Sequence, residues 1–364
     1  MADIYVTSGG NDSSGDGSSG SPYLTISKAW TESSNGDVII INDSSTFTVV
    51  EGGANQITTA GGALKTNLTF KAGDGFSPIF DGDGTATYCM KAWAGWTVQG
   101  LTFRNFGTSN THNVIHQYSG YNQAVTIEDC TFYAITGSAA SFGGAGTIYR
   151  RNKIYDCTKF GLNANLAGGE SYVENNLIYD CGSLAISAVY TTVRFNTVYN
   201  APRRDNPDST RTYSIRGLGV YYNIVYESNP SIAAISAFRD HAYNCITGSS
   251  PLANTYSTSA SVGDLNVDPV FKNVLGAGGN PANHDFTLDV TSPCLKHGTH
   301  RWSSTPPSPV TVDILSGSRV WDYDHKVMGT GTGGVFDIGC YEEVETKVLG
   351  VVTKNINKVL GKSG

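Results

Sequence analysis

The sequence predicts an all-β solenoid, one elongated body in which equivalent strands of successive coils pair in parallel. A repeat and a composition carry this expectation. Val173-Glu-Asn-Asn176-Leu-Ile178-Tyr179 is preceded by Tyr149-Arg-Arg-Asn152-Lys-Ile154-Tyr155. It is followed by Val193-Arg-Phe-Asn196-Thr-Val198-Tyr199 and by Val220-Tyr-Tyr-Asn223-Ile-Val225-Tyr226. A looser copy is Ile127-Glu-Asp-Cys130-Thr-Phe132-Tyr133. The four Asn stand 24, 20 and 27 residues apart, the spacing of a solenoid whose core strands keep their length while its loops vary. The composition, with 43 Gly and 20 Tyr against 3 Met and 15% charged residues, is that of a turn-rich β protein and not of a helical one.

Stacked coils bring one repeat position into a ladder with a rung about every 4.8 Å. Asn152, Asn176, Asn196 and Asn223 are therefore expected to stack inside one turn, each bonding its neighbours and the turn backbone. Cys157 and Cys181 share a repeat position, and Cys130 takes the Asn place in its coil. Stacked buried thiols are expected there, because Cys packs as a small hydrophobe; a disulfide framework is not expected in a chain of this size.

In chain order, the expected segments are a loop and cap over 1–36, the solenoid over 37–262, its last coils and a C-terminal cap over 263–343, and a tail over 344–364. The tract Gly9–Gly20 reads as a loop; a cation site using Asp12 and Asp16 is the alternative to a plain turn. Leu24, Ile26, Ala29 and Trp30 suggest a short helix over the open end of the first coil, where unpaired strand edges invite aggregation. Asp37-Val-Ile-Ile-Ile41 is expected to open that coil. Pro202-Arg203-Arg204 begins a polar insertion, and loops projecting from a rigid solenoid are where binding usually sits.

Two groups of segments resemble a known family. Ile4-Tyr5-Val6, Gly15-Asp16-Gly17, Pro22-Tyr23-Leu24-Thr25 and Gly36-Asp37-Val38 resemble the opening of right-handed parallel β-helix proteins of the pectate-lyase-like superfamily. Asp268-Pro269-Val270-Phe271, Asp285-Phe286-Thr287-Leu288, Ser292-Pro293-Cys294-Leu295 and Asp337-Ile338-Gly339-Cys340-Tyr341-Glu342 resemble their closing segment. The resemblance implies a single-stranded right-handed parallel β-helix with a cap at each end. It leaves activity open, since the superfamily holds lyases, hydrolases and non-catalytic virion proteins.

The tail changes character. Lys347-Val348-Leu349-Gly350 returns as Lys358-Val359-Leu360-Gly361, a doubled element similar to C-terminal segments of tailed-phage structural proteins. Val348, Leu349, Val352, Ile356, Val359 and Leu360 make a helix-compatible stripe. The resemblance implies that Lys347, Val348, Leu349, Lys358, Val359 and Leu360 dock onto other virion proteins; the alternative is a basic end without a partner. The first function expected is thus a virion structural or appendage protein, a decoration, fibre or tailspike-like one, that either decorates the particle or binds host-surface polysaccharide. The alternative is a polysaccharide lyase or glycoside hydrolase, as a tailspike depolymerase or a secreted enzyme. A trimeric homo-oligomer is an open expectation.

Other classes fit poorly. A net charge of −7 gives no general nucleic-acid footprint, and it favours a neutral or basic ligand unless a local basic patch overrides it. No apolar run of about 20 residues predicts a membrane span. Met1-Ala-Asp-Ile-Tyr5 lacks the charged and apolar regions of a signal peptide. No Gly-rich phosphate loop follows a strand and no CxxC pair suggests a metal, so neither cofactor nor metal is expected.

The candidate chemistry lies beside the Asn ladder. Glu128, Arg150, Glu174, Arg194 and Tyr221 occupy one position, expected to face outward as a charge ladder that fixes register or, alternatively, as the floor of a glycan groove. Asp129, Arg151, Asn175, Phe195 and Tyr222 occupy the next. Arg150, Arg194, Tyr221, Tyr222, Arg203 and Arg204 are the glycan-binding candidates. Glu128 and Glu174, two coils or roughly 9.6 Å apart, fall at the edge of the separation for inverting hydrolysis, but Arg150 between them works against a general acid. Asp81 and Asp83 are closer, in an Asp-Gly-Asp-Gly stretch that reads first as a turn. Asp240 and His241 complete the weak catalytic candidates.

Overall fold

The computed structural model describes residues 1–57, 65–92, 94–117, 124–164, 171–200, 213–226, 233–247, 263–274, 283–289, 291–294, 345–348 and 351–354, with the backbone alone at 117, 233–234, 239–240 and the last two segments. Strands of each coil lie on three faces. On the first face, Asp3–Val6, Val38–Ile41, Thr69–Ala72, Trp96–Gln99, Val125–Glu128, Ile148–Arg150 and Tyr172–Glu174 pair in parallel in that order. The second halves of the long strands Ile186–Arg194, Tyr213–Tyr221 and Ala233–Ala242 extend that face. Their first halves continue the third face, which starts with Met90–Ala92, Asn113–Gln117, Ser138–Ser141 and Leu162–Asn163. The second face runs from Thr46–Thr48 through Ile79–Asp81, Thr102–Phe106, Thr131–Ile135, Lys153–Cys157, Leu177–Tyr179, Thr197–Tyr199 and Ile224–Tyr226 to Cys245–Thr247. The expectation that Asp37 opens the first coil is corrected: Asp3–Val6 already forms its edge, because Ile4 and Val6 supply the apolar alternation that pairs with Ile39 and Ile41.

Parallel in-register pairing places like on like. Phe47, Phe80, Phe103 and Phe132 stack inside the second face with ring centroids 5.4, 5.7 and 5.0 Å apart, and Ile154, Ile178, Val198, Val225 and Ile246 continue their row. Ile127, Tyr149, Val173, Val193 and Val220 line the first face from within, all buried.

The corner between these faces holds the Asn ladder as expected. Asn176 Oδ1 accepts from the Asn152 backbone N–H at 3.0 Å and Nδ2 at 2.9 Å. Asn176 Nδ2 donates to Asn196 Oδ1 at 3.0 Å and to Tyr149 O at 3.0 Å. The same pattern links Asn196 to Asn223 and Asn223 to Asn244, a rung the sequence reading missed. All five side chains are fully buried, so every donor must find a partner. The residue before each Asn has a positive φ: 55° at Arg151 and Asn175, 56° at Phe195, 58° at Tyr222 and 55° at Tyr243. A bulky side chain in that region costs about 1–2 kcal/mol; the ladder bonds and the stacking of Phe195 on Tyr222 at 5.0 Å and Tyr222 on Tyr243 at 5.6 Å offset it. Cys130, Cys157 and Cys181 are buried free thiols.

The N-terminal cap is the helix Ile26–Glu32, which buries Ile26 and Ala29 and is N-capped by Thr25. The cation-site alternative for Asp12 and Asp16 is corrected. Asp12 accepts from the N–H groups of Leu24 and Thr25 and from the Thr25 hydroxyl, and Asp16 accepts from Ser18 N–H, so both carboxylates stabilise their own loop. After the last coil the chain returns over the outer side of the second face. Leu265, Phe271, Leu288 and Cys294 pack on Ile224 and Cys245, and Phe286 packs on Leu177 and Tyr179. This cover explains why outward positions there are apolar.

In the tail, Glu345–Val348 pairs antiparallel with Val351–Lys354. The expected helical stripe is corrected to a pair of strands over these residues: Thr346, Val348, Val351, Val352 and Thr353 are β-branched and favour strand. The tail candidates Leu349, Lys358, Val359 and Leu360 lie outside the described residues, and for Lys347 and Val348 only the backbone is described.

Candidate functional site

The first face carries the expected charge ladder in the expected register, Glu128 on Arg150, Arg150 on Glu174, Glu174 on Arg194 and Arg194 on Tyr221. It is not an open groove floor. Arg150 Nε donates to Glu128 Oε2 at 2.5 Å, and Arg151 Nη2 reaches the same oxygen at 3.1 Å. Arg151 also grips both Asp129 oxygens, at 2.7 and 2.8 Å. Arg194, 4% exposed, places Nε and Nη2 at 2.9 and 2.7 Å from Glu174 Oε2 and lies over the Tyr172 ring at 4.5 Å. Tyr221 and Tyr222 are buried. Arg194, Tyr221 and Tyr222 are thereby corrected from glycan contacts to packing groups, and only Arg150 of this set remains half-exposed. Glu128 and Glu174 are likewise committed to guanidinium groups, which fits register-fixing and not the two free carboxyls of hydrolysis.

The other candidates separate. His241 sits on the inward row, paired in register with Val220, and is buried; its partner is Asp264, with Nδ1 2.6 Å from Oδ2. An inward His is corrected from a catalytic to a core role. Asp240 pairs in register with Gly219, and its side chain lies outside the described residues, as do Arg203 and Arg204. Asp81 is the turn residue expected: it accepts from Asp83 N–H, Arg104 Nε and Asn105 Nδ2. Burial alone would raise its pKa, but these donors outweigh burial and hold it below the ordinary carboxylate range.

A different row, absent from the sequence reading, has the character of a binding site. On the third face Lys91, His116, Ser141, Asn163, Ser187, Arg216 and Ser236 follow one another in register, one per coil. Their strand neighbours Met90, Ala92, Ile115, Ala140, Leu162, Ala164, Ile186, Ile215 and Ile235 all belong to the core, so the pleat turns this row away from it; Lys91, His116, Ser141, Asn163 and Arg216 are partly exposed, while Ser187 and Ser236 are covered. It carries two permanent cations and one imidazole, and no carboxylate. Aromatic rings flank its cationic positions. Lys91 Nζ lies 4.3 Å from the Tyr88 ring centroid, Tyr88 meets His116 edge-on at 5.2 Å, and the Arg216 guanidinium lies over Phe238 at 4.7 Å. Asn163 Nδ2 donates to Ser141 Oγ at 3.1 Å.

Two atoms on this row are anomalous. Among the described residues, buried side-chain polar atoms without a hydrogen-bond partner are Trp30 Nε1, Thr147 Oγ1, Asn163 Oδ1 and Arg216 Nε. Two of these four fall on one row of seven residues. A buried polar atom left unpaired costs about 1–3 kcal/mol, and such a cost is tolerated where a ligand or water completes the bond. Near the Lys91 end stands Glu51. Burial would raise its pKa, but the Thr87 N–H and hydroxyl and Gln56 Nε2 outweigh burial and hold it below the ordinary range, with Lys91 adding to the effect.

Residues 89–235 match the family model for the right handed beta helix region. The chain contains a right-handed β-helix. No curated protein matches it. Among solved structures, the pectate lyase Pel9A is 14% identical, with 94% of this chain and 96% of that one covered at a TM-score of 0.51. A structure of XylC with xylose is 13% identical over 68% and 69% of the two chains at a TM-score of 0.44. A rhamnogalacturonan lyase is 14% identical over 65% and 84% at a TM-score of 0.36. These likenesses concern the β-helix fold alone.

Proposed function

We propose that this right-handed β-helix binds an extended acidic polysaccharide along its third face. The observation that carries the reading is the row Lys91, His116, Ser141, Asn163, Ser187, Arg216 and Ser236, with two unpaired buried polar atoms and no acid. A polymer lying parallel to the helix axis meets one polar side chain about every 4.8 Å from Lys91 to Asn163 and Arg216 beyond the covered Ser187, and carboxylates on it meet Arg216 and Lys91. The local charge of the row overrides the net −7 at Debye-length range. Titration calorimetry with polygalacturonate, an extended carboxylated polymer, tests this. Binding that weakens at least tenfold in Arg216→Met and in Lys91→Met, and is absent with a neutral glucan, is the expected result. Equal binding by both variants overturns it. Whether bound polymer is cleaved is read in the same samples from chain length.

A second proposal concerns location. We propose that the segment after Glu343 attaches the β-helix to a larger assembly, the virion in the first instance. What favours it is the tail, whose two strands pair with each other and with no strand of the β-helix among the described residues, together with the doubled Lys-Val-Leu-Gly element. Truncation after Glu343 should leave the melting temperature unchanged and abolish assembly; a large loss of thermal stability makes the tail a cap instead.

A further inference from the structure

We propose that Cys245 and Cys294 are the site of a disulfide that staples the C-terminal cap to the last coil of the β-helix. Cys245 begins the last strand of the second face, where its side chain points outward, and Cys294 ends the described cap. The two buried thiols belong to one cluster with Ile224 and Leu288, and Cys245 Sγ donates to Val267 O of the cap at 3.6 Å. Both are free and buried. Nothing in the β-helix itself needs a thiol at these places: the same outward position is Ile224 one coil earlier and Thr197 two coils earlier. The pair joins elements that no strand ladder joins among the described residues. Among the described residues, the cap meets the second face through side chains and through the Cys245–Leu265 bridge between backbones.

The thiols are 49 residues apart in the chain, so a bond between them removes a long loop's freedom from the unfolded state. Cys157 and Cys181, at one repeat position, lie on adjacent coils already held by strand pairing, and a bond there links nothing new.

The oxidant is a small-molecule disulfide such as oxidised glutathione. When the cap opens locally, the Cys294 thiolate attacks one glutathione sulfur. An S–S bond forms at Cys294, the glutathione disulfide breaks, and one glutathione thiolate leaves. The Cys245 thiolate then attacks Cys294 Sγ, and the second glutathione leaves. The two protons lost by the protein thiols go to the two glutathiones, which carry away the two electrons. In the closed cap, the neighbouring Cys294 thiol and then burial push the Cys245 thiol well above its ordinary range, so reaction waits on opening.

The test uses the full chain incubated with oxidised glutathione at alkaline pH, with sub-denaturing urea to open the cap. Remaining thiols are then alkylated and peptides mapped by mass spectrometry. A peptide linking Cys245 to Cys294 is expected, with an upward shift in melting temperature that dithiothreitol reverses. Cys245→Ser and Cys294→Ser should lose the link and the shift; Cys294→Ala serves where serine is not accepted in the apolar cluster. Full alkylation of both thiols overturns the proposal, as does a link from either to Cys340, or a 245–294 link without any stability change.

Discussion

His241 Nδ1 lies 2.6 Å from Asp264 Oδ2, while the other oxygen of that carboxylate accepts from the Asn244 backbone N–H at 2.7 Å and from Asn244 Nδ2 at 3.1 Å. One aspartate thus ends two rows at once. It stands where the next Asn of the ladder would stand, and it partners the polar residue that closes the apolar row of the first face. A carboxylate suits an end position, because it only accepts and needs no further coil to donate to.

Replacing Asp264 by Leu orphans the Asn244 donors and the His241 ring together, at about 1–3 kcal/mol for each buried group. Asp264→Asn keeps the ladder acceptor and should lose roughly half as much. Chemical unfolding of the two variants checks the order; equal effects contradict it.

Within the ladder, Asn176→Leu removes the acceptor of Asn152 N–H and Nδ2 and the donor to Tyr149 O. A loss of ~3 kcal/mol or more is expected. Hydrogen exchange should quicken first at Asn152 and its neighbours, and uniform exchange along the chain counts against a local ladder.

Glu174→Ala leaves the Arg194 guanidinium buried beside Tyr172, and should cost about 3–5 kcal/mol. The double replacement Glu174→Met, Arg194→Met fills the same space without charge and should recover most of that loss. A double variant as unstable as Glu174→Ala alone contradicts the packing role assigned to this pair.

The β-helix was legible because Asn, Ile/Val and Tyr recur at one spacing from the first face into the second. Asn244 escaped because Thr247 replaces the Tyr that marks other coils. The third-face row escaped for a geometric reason. Eight residues separate Tyr133 from Ser141, Tyr155 from Asn163 and Tyr179 from Ser187, but twelve separate Arg104 from His116 and seventeen separate Tyr199 from Arg216. Loops of unequal length enter between the second and third faces, so no fixed period aligns the row. The charge ladder was read in correct register, yet its burial was not legible, since alternation shows which side a residue faces and not what covers it. The tail was misread because apolar spacing in a short segment suits either helix or strand.

At the acid end, Asp43 sets a pH dependence. Burial alone would raise its pKa; the Ser8 and Ser45 hydroxyls and N–H groups outweigh this and hold it at about 2, against an ordinary 3.8. A depressed carboxyl contributes stability that is complete above its unfolded value and is lost as pH falls through its folded one. Melting temperature should therefore drop between about pH 4 and pH 2, and Asp43→Asn should flatten that part of the curve. An unchanged slope in the variant contradicts the assignment.

The third face decides the functional account, and the most direct measurement is a crystal structure of the protein soaked with an acidic oligosaccharide. The account predicts sugar rings lying along Lys91, His116, Ser141, Asn163 and Arg216, with a carboxylate on the Arg216 guanidinium and a hydroxyl on the Asn163 side chain. Sugar bound instead against Arg150 on the first face, or a third face occupied by water alone at saturating ligand, contradicts it.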